Sequence, residues 1–377
     1  YLIDLDDLCA EGLLERDEYA GIDWGDDPSQ VDYGALYRER YGVLRCAVRR
    51  LLATRRDDFD AFCARECAWL DDYALFMAIK DASGGAALSA WDEPLRMREP
   101  EALERAACEL AGEVAFWKAV QCLFFEQWER LRAYAHDHGI RLMGDMPIYV
   151  AEDSADLWAH PDQFQLDEEL RPTEVAGCPP DGFSATGQLW GNPLFAWDRM
   201  EADGFPWWIG RIRFQLGLYD ILRIDHFRGF DSYFAIPAGA ETAAGGRWRP
   251  GPGKALFDAI ERELGACPIV AEDLGFLTPS VYELLEYTGC PGMKVLQFAF
   301  DSRDGGGRVY QPHAYTRHCV AYVGTHDNDT ALGWLESADP ADVALAREYL
   351  HLDPEEGEGW GMMRAIWSSV ADTAIAM

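Results

Sequence analysis

The sequence predicts an α/β fold built on a parallel sheet, either doubly wound or closed into an eight-fold barrel. Three observations predict it. Apolar strand-like runs alternate with helix-periodic runs from Arg141 onward. Several of the apolar runs end in an acidic residue, as strand tips around a barrel mouth do. No GxGxxG follows a strand and no P-loop lysine is present, which disfavours the nucleotide-binding form of the doubly wound fold. The one dense glycine run, Asp304-Gly305-Gly306-Gly307, has neither the spacing nor a following helix pattern.

Residues 1–139 read as a mainly helical subdomain, inserted in or leading into the catalytic part. Apolar residues recur at helical spacing over 31–54, 57–67 and 70–80, and again over 100–138. Asp81-Ala82-Ser83-Gly84-Gly85 interrupts the pattern. Tyr33 and the other aromatic residues here read as core. Residues 140–377 are expected to hold the barrel strands. Residues 141–150 read as strand then loop, with Asp145 at the strand's C-terminal end. The stretch from about 151 to 210 looks irregular and is rich in Pro, Gly, Asp and aromatic residues. It is either an aromatic substrate wall or a scaffold loop whose Trp residues fill a local core. Helices are expected over 205–218, 253–264, 279–287, 341–350 and 360–366. Strands are expected at 221–224, 268–271, 292–301 and 320–323, with a last apolar element from residue 370.

The totals narrow the function. The chain has 377 residues, 49% of them apolar, which is enough for a large core. It carries 33 basic against 66 acidic residues, a net charge of -33. Such a surface repels phosphates, so nucleic acid and anionic membranes are excluded as partners. No apolar run is long enough to span a membrane. The ten cysteines form no CxxC pair and no Cys/His cluster, so a zinc site is not expected. They read as buried free thiols of a cytoplasmic protein. Both ends, at Tyr1 and within Ala374-Ile375-Ala376-Met377, read as cut, as in a fragment.

The chemistry lies in four tip acids. Asp145, Asp225, Glu272 and Asp327 each end an apolar run, and two of them stand beside Arg or His. A single tip acid is explained as a cap of the next helix; four in one half of the chain are not. Retaining glycosyl transfer needs one ionised carboxylate that attacks and one protonated carboxyl that gives its proton to the leaving oxygen. Asp225 fits the first role. Arg223 lies two residues back on the same strand face and is expected to hold the Asp225 pKa down. Glu272, after Ile269-Val270-Ala271, fits the second, because an apolar site near another carboxylate raises a carboxyl pKa. Asp327, with His326 beside it, is placed to hold sugar hydroxyls and flatten the ring. Metal binding is the rival for so many acids, but Asp327-Asn328-Asp329 lacks the Gly and terminal Glu of an EF-hand loop.

These residues carry a family resemblance. GDMPIYVAEDSADLWAHP, AGCPPDGFSATGQLWGNPLF, RIDHFRGF, AEDLG, PGMKVLQFAFD and VGTHDNDT together resemble the 4-alpha-glucanotransferases (amylomaltases, disproportionating enzymes) of the alpha-amylase clan. The resemblance runs along essentially the whole chain. It implies a (β/α)8 TIM barrel with helical and loop insertions, incomplete here, with the first strand missing and the C-terminal end truncated. It implies transfer of a segment of an alpha-1,4-glucan to a new 4-hydroxyl by retaining double displacement, without metal or organic cofactor. The expected partners are maltooligosaccharides, glucose and other alpha-1,4-glucans. The family's nucleophile maps to Asp225, its acid/base to Glu272 and its third acid to Asp327. Asp145, Arg223 and His326 match sugar-contacting positions. Asp181, Phe183 and Trp190 match the acceptor-side loop, and Tyr33 an outlying glucan contact. The alternatives are an amylase-type glucan hydrolase and a non-catalytic glucan-binding fragment.

Overall fold

Helix-forming sequence dominates the first 141 residues, and they fold as helices. The structure is a computed structural model that describes residues 1–377 except 26, 28, 181–183, 276 and 303–306. It contains two compact units. The first comprises Tyr1–Arg141, Ala151–Pro161 and Leu166–Arg171; the second comprises Leu142–Val150, Asp162–Gln165 and Pro172–Met377.

The first unit is built around three long helices, Tyr41–Thr54, Arg56–Ala82 and Ala111–Asp137. The periodic runs 57–67 and 70–80 merge into one helix, because Ala68-Trp69 between them continues it. The 100–138 run instead breaks at Leu110, just before the weak helix former Gly112, into Pro100–Glu109 and Ala111–Asp137. Aromatic contacts hold the bundle: Phe62 and Trp69 pack on Phe125, and Phe76 packs on Trp91 and Trp158. Tyr33 is not a core residue. It opens a short helix and is 65% exposed.

Among the described residues, the second unit carries ten strands: β1 Met143–Met146, β2 Glu174–Cys178, β3 Gln188–Pro193, β4 Ile221–Ile224, β5 Ser232–Pro237, β6 Arg247–Pro250, β7 Ile269–Ala271, β8 Gly292–Val295, β9 Cys319–Tyr322 and β10 Thr373–Ile375. Two parallel sheets have the orders β1-β4-β7 and β10-β9-β8. The Ala271 N–H donates to the Pro291 carbonyl at 2.9 Å and joins β7 to the residue before β8. The parallel strands curl around a common core. Val270, Met293, Val320 and Tyr322 are buried together, with Met143, Ile221 and Ile375 packed against them. Tyr322 Oη reaches Met143 Sδ at 3.7 Å, from β9 to β1.

An antiparallel sheet, β3-β2-β5-β6, stands in part where the sequence looked irregular. Its strands are short, and β2 finds its partner β5 more than fifty residues later, so no local hairpin pattern announces it. Part of the aromatic stretch fills a local core. Trp197 and Trp208 are buried in a cluster with Phe195 and Phe230, whereas Trp190 is 36% exposed. The predicted strand 292–301 ends at Val295 and turns into the 3₁₀ segment Leu296–Phe300. Leu296, Ala299 and Phe300 all enter the core, which strict strand alternation would not permit. The ten cysteines are free as expected, but only Cys122 and Cys319 are buried; Cys67 and Cys108 are exposed. Among the described residues, no helix is long and apolar enough to cross a membrane.

Candidate active site

β1 and β4 pair so that Asp145 lies opposite Arg223. The Arg223 guanidinium is buried, and its charge is met by two carboxylates. Nη1 donates to both Asp145 oxygens at 2.7 and 2.6 Å, and Nη2 lies 3.2 Å from Asp225 Oδ1. The period of two along β4 and its extension brings Arg223 and Asp225 to one face. Nε reaches Met293 Sδ of β8 at 3.3 Å, across the curl of the sheet.

Asp225 and Glu272 stand one residue past the ends of the neighbouring strands β4 and β7. The ladder continues into both: Asp225 N–H donates to Met146 O at 3.0 Å, and Glu272 N–H to Ile224 O at 3.0 Å. His226 then takes a left-handed conformation, φ 53°, uncommon for a residue with a side chain. Its N–H donates to Glu272 Oε2 at 2.8 Å, while Leu274 N–H donates to Oε1 at 2.7 Å. The turn after β9 brings His326 to the same place. Its Nε2 lies 3.7 Å from Asp145 Oδ2 and 3.3 Å from Asp327 Oδ1. Trp190 on β3 meets the His226 ring edge-on at 4.8 Å.

The fold thus brings together Asp145, Arg223, Asp225, Glu272, His326, Asp327 and Trp190. Asp181 and Phe183 lie outside the described residues. A cleft of about 980 Å³ is lined by Asp225, Glu272, Asp327, Arg223, Trp190 and Trp248, among others. Sequence reasoning missed many of its lining residues, His226, Trp248 and Gln297 among them. His226 adjoins Asp225, but only the fold shows its backbone turn. Trp248, under the Arg228 guanidinium at 3.8 Å, sits on a four-residue strand that no alternation marks. Gln297 was read as part of a long strand.

The two central carboxyls differ in surroundings. Glu272 is 9% exposed, and burial, reinforced by the Asp225 charge, pushes its pKa up to about 7 against the pull of its backbone donors and Arg223. Asp225 keeps 42% of its side chain exposed and touches Arg223. Its pKa is nevertheless raised, chiefly by burial, with Asp145 and Asp327 adding to the rise and Arg223 opposing it. The expectation of a depressed Asp225 pKa is therefore corrected: one cation does not offset desolvation beside two other acids. The two carboxyls still differ in that Asp225 has a guanidinium in contact, at 3.2 Å. The half-buried His226 ring is pushed down to about 3 by desolvation and by Arg228, so it is neutral near pH 7. Asn328, part of the metal-like tripeptide, spends its side-chain oxygen on Thr325 N–H and Oγ1 at 2.9 and 3.0 Å.

A curled parallel sheet whose carboxyl ends carry paired acids, in a cleft walled by indole rings, is the arrangement of an α/β enzyme. Comparison with known proteins narrows the class. The 4-alpha-glucanotransferase family model matches residues 1–377. The 4-alpha-glucanotransferase of Clostridium butyricum is 45% identical over 379 residues, covering 100% of this chain and 77% of that protein. The Thermus thermophilus 4-alpha-glucanotransferase is 49% identical over 386 residues, covering 100% and 76%. The solved amylomaltase from Streptococcus agalactiae, in complex with acarbose, superposes with a TM-score of 0.95 at 41% identity, covering 100% of this chain and 76% of that one. This chain belongs to the 4-alpha-glucanotransferase family, and its α/β fold is that of an amylomaltase.

Proposed function

We propose that this enzyme moves a segment of an alpha-1,4-glucan to the 4-hydroxyl of glucose or another glucan by retaining double displacement, with Asp225 as nucleophile and Glu272 as acid and base. The observation that carries this is the buried Glu272 carboxyl, with a pKa near 7, beside an Asp225 held against Arg223. In the first step an Asp225 oxygen attacks the anomeric carbon. The bond to the leaving glucan breaks as Glu272 delivers its proton to the departing oxygen. A covalent glycosyl ester on Asp225 results. In the second step Glu272, now ionised, takes the proton of an acceptor 4-hydroxyl. That oxygen attacks the same carbon, and the Asp225 carboxylate leaves. Two inversions give net retention.

Each neighbour has a physical task in this reading. Arg223 orients Asp225 and, through Asp145, fixes the wall beside it. Asp145, His326 and Asp327 bond sugar hydroxyls, and Asp327 favours the flattened oxocarbenium-like ring. No charge in either step calls for a metal or an organic cofactor, since Arg223 and Glu272 supply the cation and the proton. Trp190, with Asp181 and Phe183 a few residues before it in the sequence, is assigned the task of stacking on and bonding an acceptor sugar so that it outcompetes water. The parallel strands are read as part of an eight-stranded barrel, residues 1–139 as its helical insertion, and maltooligosaccharides as donors and acceptors. Ten free cysteines support a cytoplasmic setting.

Incubation with maltotriose tests the reading. Glucose plus a ladder of longer glucans is expected. Steady release of reducing ends with no ladder would make the protein an amylase-type hydrolase instead.

A further inference from the structure

We infer that Gln297 is a positioning residue for the reaction, acting through the turn that carries Asp327. The inference rests on the role proposed above for Asp327.

Asp327 and His326 are exposed, 64% and 66% at the side chain. Packing therefore does not fix them, and their placement depends on the backbone of the turn. That turn is partly self-bonded. Asn328 N–H donates to Thr325 O at 3.0 Å, and Asp327 N–H to Thr325 Oγ1 at 3.3 Å. Such bonds set the turn's shape but not its place in the fold. Gln297 anchors it. This residue is only 3% exposed and lies just past β8, the strand beside β9. Its backbone N–H donates to Val323 O at 3.2 Å, and its Nε2 donates to Asp329 O at 2.8 Å. One side chain and its own backbone thus hold residues 323 and 329, on either side of His326 and Asp327.

A buried amide is costly unless bonded, and an aliphatic side chain of similar size would serve a core equally well. The Gln297 amide donates instead to a loop carbonyl at the cleft, whose lining includes both Gln297 and Asp327. Gly324 completes the fit. A Cβ there would come within 2.8 Å of Gln297 Nε2, so a glycine is needed for the amide to reach Asp329. Gly324→Ala consequently displaces the same amide without altering it.

The test is a double-mutant cycle on maltotriose disproportionation, read with kcat, KM and a melting curve. Gln297→Leu and, separately, Gly324→Ala are each expected to lower kcat about 10- to 100-fold with KM changed less than about 3-fold. In an Asp327→Asn background each is expected to cost less than about 3-fold more, because the residue they position has already lost its charge. Full additivity in that background, or an unchanged kcat in both folded variants, overturns the proposal. A KM rise with kcat preserved also overturns it, by making Gln297 a direct sugar contact. Should Asp327→Asn alone leave kcat intact, the reading of Asp327 fails, and that result is separate from the failure of Gln297.

Discussion

Glu272 accepts two backbone N–H groups yet titrates near pH 7, because burial and the Asp225 charge outweigh those donors. Two consequences follow from that balance. Transfer should lose rate above pH about 7, by roughly tenfold per pH unit, as the proton donor is lost. Glu272→Gln should remove that limb from whatever rate remains. The second consequence concerns stability. Glu272 ordinarily ionises near 4.5, so between about 4.5 and 7 the folded chain holds a proton that the unfolded chain has released. Stability contributed by this site is present below pH 4.5 and falls as pH rises through 7, by up to about 3 kcal/mol. The melting temperature of the wild type relative to Glu272→Gln should therefore drop between pH 5 and pH 8, in buffers of matched ionic strength. A flat difference would mean that Glu272 is not buried in its neutral form. At this scale the acids themselves were legible, because an acid at the end of an apolar run is a local pattern. Their pKa values were not. Burial of Asp225 and the left-handed turn at His226 are set by strands distant in sequence.

The strands that carry acids were legible as elements because each is a short aliphatic run followed by charge. The antiparallel sheet was not, since its strands are brief and β2 pairs with β5 across more than fifty residues. That sheet places Trp190 and Trp248 in the cleft wall, and the place of Trp248 was hidden along with it. Gly177 is its weak point. Pairing between β2 and β3 shifts register beside it, and a Cβ there would collide with the Gln188 carbonyl of β3. Gly177→Ala should force the two strands apart, costing about 1–3 kcal/mol in thermal unfolding. It should also lower the ratio of transfer to hydrolysis on maltotriose, because β3 carries Trp190. A variant as stable as the wild type, with the same ratio, would deny the sheet its role in holding the acceptor wall.

Taken whole, the chain carries a net charge of -33 and acts on substrates without charge. Self-repulsion of that size is screened by salt, while binding of a neutral glucan is not steered by it. Raising salt from about 10 mM to about 200 mM should lift the melting temperature while kcat/KM stays within about twofold. A large fall in kcat/KM would point to a charged substrate. The proposed double displacement requires that Asp225 become covalently glycosylated and that Glu272 serve both steps. An α-maltosyl fluoride donor needs no acid to leave, so with Glu272→Gln the first step should run and the second should stall. Peptide mass spectrometry of that mixture is the most direct test. A maltosyl adduct is expected on the peptide containing Asp225, absent in Asp225→Asn. An adduct on the peptide containing Asp327, or product formation with inverted anomeric configuration and no adduct, would contradict it.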